Sequence, residues 1–157
     1  MMPVYLVRHG EAVSELVDPT QPLSERGRAG VERVARLAST IGLAVAEIRH
    51  SSKPRARETA EILARHLTPP PALQEVDWLA PTADPGMAQD AALSAAEPLM
   101  LVGHLPHMAR LASLLLTGNP DREVVRFRNA TVVCLEKVEN GWVLLWALGP
   151  DLVAPSV

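Results

Sequence analysis

Arg8-His9-Gly10 follows directly on the apolar run Val4-Tyr5-Leu6-Val7. A short β-rich run of that kind reads as a buried strand. A guanidinium beside an imidazole is a costly way to end one, unless that place needs charge and a nitrogen nucleophile. Two further segments repeat the arrangement. Val45 to His50 leads into Ser51-Ser52-Lys53-Pro54-Arg55, and Leu99-Met100-Leu101-Val102 leads into Gly103-His104. Three strand ends therefore supply two arginines and two histidines. Arginine offers a planar fork of donors that matches phosphate oxygens. The helix starts after Arg55 and Pro106 add positive dipole. Histidine in such company can attack or donate. These residue types describe a site for a small dianion.

The elements that must position them alternate along the chain. Val4–Val7, Val45–His50, Ala72–Leu79 and Leu99–Val102 read as strands. Ser24–Ile41, Arg55–Leu67, Pro85–Ala96 and Pro106–Thr117 read as helices, with Ser24 and Asp84 as caps, Gly42 closing the first and Gly118 following the last. Thr131–Val138 and Trp142–Leu148 flank Asn140-Gly141, a strong hairpin signal. The pattern βαβαβαβα plus a hairpin predicts an α/β fold. The expected form is a three-layer αβα sandwich, mostly parallel, with the hairpin at the sheet edge, and residues 1–157 forming one domain. Ligands of such sheets bind beyond the carboxyl ends of the strands, where the arginines and histidines fall.

Length and composition agree with that reading. The chain has 157 residues, 48% of them hydrophobic, enough for a core and against disorder. Its net charge of −3 gives no general reason to bind nucleic acid or an anionic membrane. The single cysteine, Cys134, excludes an intrachain disulfide framework and a cysteine-based zinc site, and its flanks make it a strand residue. No run is long enough to span a membrane and the start lacks a basic leader, so a cytoplasmic protein is expected. No His/Asp cluster has metal-ligand spacing and no Gly-rich nucleotide loop is present, so neither metal nor cofactor is expected.

Leu6 to Ala12, LVRHGEA, resembles the signature of the histidine phosphatase superfamily, which has the phosphoglycerate-mutase-like fold. Ser51 to Ala60, SSKPRARETA, is similar to its second motif, and Val102 to Pro106, VGHLP, to its last. The motifs stand in family order, and the resemblance covers nearly the whole chain. It implies that His9 is the phosphoryl-accepting nucleophile and that Arg8, Arg55 and His104 bind the phosphoryl oxygens. Phosphate would move to a His9 nitrogen and water would then remove it, the fixed donors stabilising charge on the equatorial oxygens. His9 must then be neutral at its attacking nitrogen, with its other nitrogen donating to a backbone carbonyl near Gly10. Arg57 falls at a variable position of the motif and receives no role.

An alkoxide leaves poorly, so ester hydrolysis gains from a general acid. Many members of the family carry that acid just after the third strand. Here the stretch is Trp78-Leu79-Ala80-Pro81-Thr82-Ala83-Asp84, and Pro81 stands where the acid would be. The small phosphohistidine phosphatases of the SixA type resemble this stretch and are similarly short. Phosphohistidine protonated on its distal nitrogen expels neutral imidazole and needs no acid. The expected substrate is therefore a phosphohistidine-bearing protein such as a histidine phosphotransfer domain. Glu75, Asp77 and Asp84 keep a second reading open, a phosphatase of small monoesters such as sugar or nucleotide-precursor phosphates. A non-catalytic phosphate- or phosphoprotein-binding module is the alternative from another class. Oligomeric state is not indicated.

The remaining candidates read as structural. His50 ends a strand. His66 stands near a helix C-terminus, where a cationic ring suits the dipole. His107 is left open as a residue of the site mouth. Glu11 and Ser14 read as solvated loop, and Trp78 as core or rim. Trp142 and Trp146, four apart on a strand, are expected on one face.

Overall fold

The computed structural model describes residues 2–155. The elements run β1 (Pro3–Arg8), α1 (Glu25–Thr40), β2 (Glu47–His50), α2 (Pro54–His66), β3 (Ala72–Glu75), α3 (Gly86–Ser94), β4 (Leu99–Gly103), α4 (His107–Thr117), β5 (Val132–Val138) and β6 (Gly141–Leu148). Two short 3-10 turns, Asp77–Leu79 and Pro150–Leu152, complete them. The six-stranded sheet has the order β3-β2-β4-β1-β5-β6. Its first four strands are parallel, while β5 runs antiparallel to β1 and pairs with β6 as the terminal hairpin. The α/β expectation holds, edge hairpin included. None of the helices among the described residues is long and apolar enough to cross a membrane.

The three layers follow from the period-2 pleat. In β1, Tyr5 and Val7 face a core built with Val31, Val34, Ala60 and Leu63 of α1 and α2. Val4 and Leu6 face the other way, onto Ala88, Ala92, Met108 and Leu111 of α3 and α4. Helices cover both faces, so β1 and β4 read as continuous apolar runs rather than alternating ones. Ser24 caps α1, its Oγ accepting from the Gly27 amide at 2.9 Å. Gly27 has a second duty. A Cβ there would sit 1.9 Å from the Glu11 carbonyl oxygen, so only glycine lets α1 approach the segment after His9. Gly118 closes α4 at φ 79°, a left-handed conformation that glycine adopts without steric cost.

Two expectations need correction. The predicted strand Ala72–Leu79 stops at Glu75. Val76 still bonds back to the His50 carbonyl at 2.9 Å, but the chain then turns and drives Leu79 into the core at 0% exposure. Burying Leu79 is worth more than extending an exposed edge strand beyond its four-residue partner β2. The two tryptophans lie on opposite faces rather than one. Trp142 packs with the α3/α4 core and Trp146 with the α1/α2 core, its ring centroid 6.0 Å from that of Tyr5. The register explains this. Cys134 pairs with Trp146 while Leu135 pairs with Leu144, so Leu145 is an extra residue that reverses the alternation.

Candidate active site

The carboxyl ends of β2, β4 and β1 lie side by side, because β4 is hydrogen-bonded between the other two. Arg8 is in register with Gly103, and His50 with Val102. The residues that follow, His9, Ser51 and His104, are therefore delivered to one place. The His9 amide donates to the Gly103 carbonyl at 3.0 Å. The His9 and His104 rings stand 5.0 Å apart, tilted by 56°. All three of His9, Ser51 and His104 are buried.

The environment of His9 sets its chemistry. Nδ1 lies 2.6 Å from the Gly10 carbonyl oxygen. A carbonyl only accepts, so Nδ1 carries the proton and Nε2 carries the lone pair. Burial lowers the His9 pKa, the Gly10 bond opposes, and the charges of Arg55 and Arg8 lower it further, to about 4. At neutral pH the ring is uncharged and nucleophilic at Nε2.

The two arginines are held differently. Arg8 Nη1 donates to the Phe127 carbonyl at 3.1 Å, and its Nε is buried without a partner among the described residues. Arg55 enters the first turn of α2 behind Pro54, which suits a helix start because proline lacks only an amide that would be free there. Burial lowers the pKa of both. Thr59 joins the two motifs: its hydroxyl donates to the Arg55 carbonyl at 2.7 Å and accepts from the Gly10 amide at 3.0 Å. The glutamate before it, Glu58, accepts from the Leu23 amide at 2.9 Å and pairs with Arg28 at 2.8 Å.

His104 bonds through Nε2 to the Ser51 hydroxyl. Burial, then the charges of His9, Arg55, Lys53 and His107, lower its pKa to about 3. It is a neutral ring, able to donate from one nitrogen only.

The structure thus brings Arg8, His9, Arg55 and His104 together. It also shows groups that the sequence did not single out. Ser51 and Thr59 lay inside the second motif and could have been flagged there. Phe127, Asn129 and Ala130 had no signal: they belong to a loop that folds back on His9. The His9 carbonyl accepts from the Ala130 amide at 3.0 Å and from Asn129 Nδ2 at 3.4 Å.

Of the open candidates, Asp84 accepts from the Gly86 amide at 2.7 Å at the start of α3. Glu75 and Asp77 are exposed at the carboxyl end of β3. Arg57 pairs with Glu61 at 3.6 Å on the exposed side of α2. His50 Nδ1 meets the Ser51 carbonyl at 2.9 Å. His66 stands in the last turn of α2, as expected, and also pairs with Glu32 across the helices at 2.6 Å. Glu11 receives the Ser24 hydroxyl at 3.2 Å, and Ser14 organises its own turn. Trp78 packs on the α3/α4 core, with the Arg49 guanidinium 5.9 Å from its ring centroid.

His107 is fully buried rather than at a mouth, and neither ring nitrogen makes a well-formed hydrogen bond among the described residues. Burial, then Arg110, lower its pKa to about 4, with the Asp84 backbone and charge opposing. A pKa below the unfolded value of 6.5 means that the unfolded chain binds a proton first. The stability this contributes is complete above pH 6.5 and lost as pH falls through about 4. Replacing His107 with leucine removes that loss and a buried polar ring whose one backbone partner, Asp84, is poorly placed. His107→Leu is expected to raise stability at pH 7 and to shrink the pH 7-to-5 loss by about 2 kcal/mol. Urea unfolding at both pH values measures it, and an unchanged pH dependence counts against a buried neutral ring.

Residues 4–80 match the model of the histidine phosphatase superfamily (branch 1). Among curated proteins, none matches this chain in sequence. Several solved structures share the fold. The protein histidine phosphatase SixA complexed with tungstate superposes with a TM-score of 0.83 at 21% identity, over 96% of this chain and 99% of that one. A protein of Agrobacterium tumefaciens assigned as a phosphohistidine phosphatase SixA gives 0.76 at 25% identity, over 94% and 96%. A phosphoserine phosphatase of Entamoeba histolytica, in complex with 3-phosphoglyceric acid, gives 0.71 at 15% identity, again over 94% and 96%.

Proposed function

Because this chain belongs to the histidine phosphatase superfamily and is a histidine-nucleophile phosphatase, we propose that its substrate is a phosphohistidine carried by a protein. The observation that carries the reading is the stretch from Ala80 to Asp84. It offers Pro81 where an acid would stand, and the Asp84 carboxylate is engaged with the Gly86 amide. A leaving group that departs as neutral imidazole needs no acid.

In this mechanism His9 Nε2 attacks phosphorus and the P–N bond of the substrate breaks in line. The substrate imidazole keeps its distal proton and leaves neutral. Arg8, Arg55 and His104 hold the phosphoryl oxygens and stabilise their charge in the transition state. Water then attacks the phosphoryl group on His9, giving inorganic phosphate. The Gly10 carbonyl holds a proton on His9 Nδ1 throughout, so His9 also leaves as a neutral ring. Both half-reactions thus expel the same kind of group, and neither calls for a carboxylic acid.

A specific observation favours the second reading, small phosphate monoesters. Glu75 and Asp77 are exposed carboxylates at the sheet end that bears the site. The phosphoserine phosphatase neighbour has the same fold. A phosphate-binding module without turnover is not retained, since the chain is a phosphatase.

The test is inorganic phosphate released from a phosphorylated histidine phosphotransfer domain and from p-nitrophenyl phosphate. The expected preference in kcat/KM for the domain is at least ~100-fold. A preference for the aryl ester transfers the assignment to monoesters. Glu75→Gln and Asp77→Asn would then be expected to reduce turnover.

A further inference from the structure

Ser51 is 1% exposed, and its hydroxyl oxygen has two neighbours, His104 Nε2 and the Lys53 amide at 3.3 Å. A hydroxyl has one proton to give and two lone pairs. The Lys53 amide can only donate, so it takes a lone pair and leaves the Ser51 proton free for His104. On the imidazole, Nδ1 is buried and has no partner among the described residues. A neutral ring carries a single proton. Placed on Nε2, that proton would compete with the Ser51 hydroxyl and leave Nδ1 as a bare buried acceptor, useless to an anion. Placed on Nδ1, it leaves Nε2 as the acceptor of the Ser51 proton and makes Nδ1–H a donor.

We propose that Ser51 is a positioning residue that fixes His104 as its Nδ1–H tautomer, so that a neutral histidine donates to the phosphoryl group from Nδ1. The inference rests on the assignment of His104 to the phosphoryl oxygens made above. Free histidine in water prefers the other tautomer, so without Ser51 most of the population would present the wrong nitrogen. Burial and the surrounding cations keep the ring neutral. The donor therefore does not depend on a protonation event near physiological pH. An aspartate or backbone carbonyl fixes a catalytic or metal-bound histidine by accepting from its ring N–H, whereas here the hydroxyl fixes the ring by donating to the other nitrogen.

The test reads the tautomer directly, by nitrogen-15 NMR of histidine-labelled protein, with inorganic phosphate as the probe. In the wild type the pyrrole-type nitrogen of His104 is expected to be Nδ1, and phosphate is expected to move its resonance. Ser51→Ala is expected to convert most of the signal to the Nε2–H form. It should lower kcat about 10- to 100-fold with little change in KM, for phosphohistidine protein and aryl phosphate alike. Ser51→Thr, which keeps the hydroxyl, is expected to restore both readouts.

A second cycle separates this role from a merely structural one. In His104→Gln the amide donates without tautomers, so adding Ser51→Ala should cost nothing further. An equal cost in both backgrounds overturns the proposal, as does a wild-type ring protonated at Nε2. If Ser51→Ala fails to fold, the wild-type spectrum decides alone. If His104→Gln matches the wild type in turnover while the Nδ1–H tautomer is observed, the assignment of His104 to the phosphoryl group is what fails.

Discussion

His9→Ala is expected to lose at least ~10⁴-fold in phosphate release from a phosphohistidine protein, with the fold intact. No other side chain among Arg8, Arg55 and His104 can replace it. The arginines remain cationic and have no lone pair to offer. His104 already holds its Nε2 in the bond to Ser51. His9 alone combines a neutral ring, a proton pinned on Nδ1 by Gly10 and a free lone pair on Nε2. The wild type should also hold labelled phosphate in an acid-labile, base-stable form, and His9→Ala should hold none. Circular dichroism and the thermal midpoint establish that the variant is folded. A folded variant that retains more than about one-hundredth of wild-type turnover would remove His9 from the nucleophile's role.

Arg55→Ala is expected to lower kcat/KM by about 10²–10³-fold, the typical cost of one charge-stabilising donor. Arg55→Lys should recover only part, since an ammonium supplies a point charge and not a planar fork. A second readout follows from the electrostatics. The Arg55 charge helps to lower the pKa of both His9 and His104. Removing it raises both. For wild type, activity should hold as pH falls from 7 and fail as His9 protonates, near pH 4. In Arg55→Ala this acid limb should move to higher pH. A variant with reduced turnover and an unmoved acid limb would mean that Arg55 acts on the substrate alone. One with full turnover would place the phosphoryl group elsewhere.

Much of this was legible in the chain itself. Strands buried on both faces announce themselves as apolar runs such as Leu99–Val102, because no alternation is needed when helices cover each side. The parallel arrangement then places whatever follows each strand at the same sheet end, so Arg8-His9, Arg55 and His104 could be grouped before any coordinate was known. Other outcomes depended on partners distant in sequence. Nothing in Trp142–Leu148 shows that Leu145 is an extra residue in the pairing with β5, and that one residue sends the two tryptophans to opposite faces. Nothing in Ala72–Leu79 says that the strand ends at Glu75 so that Leu79 can reach the core.

The sequence by itself determined the element order, the family resemblance and the four residues that meet, because each is written in local pattern or in a contiguous motif. Only the tertiary structure decided how those four are held. The Phe127 carbonyl on Arg8, the Thr59 hydroxyl between Gly10 and Arg55, and the Ser51 hydroxyl on His104 are contacts across 119, 49 and 53 positions of chain. A hydrogen bond depends on angle and distance within a few tenths of an ångström. Those are properties of the packed layers and have no counterpart in residue type or spacing.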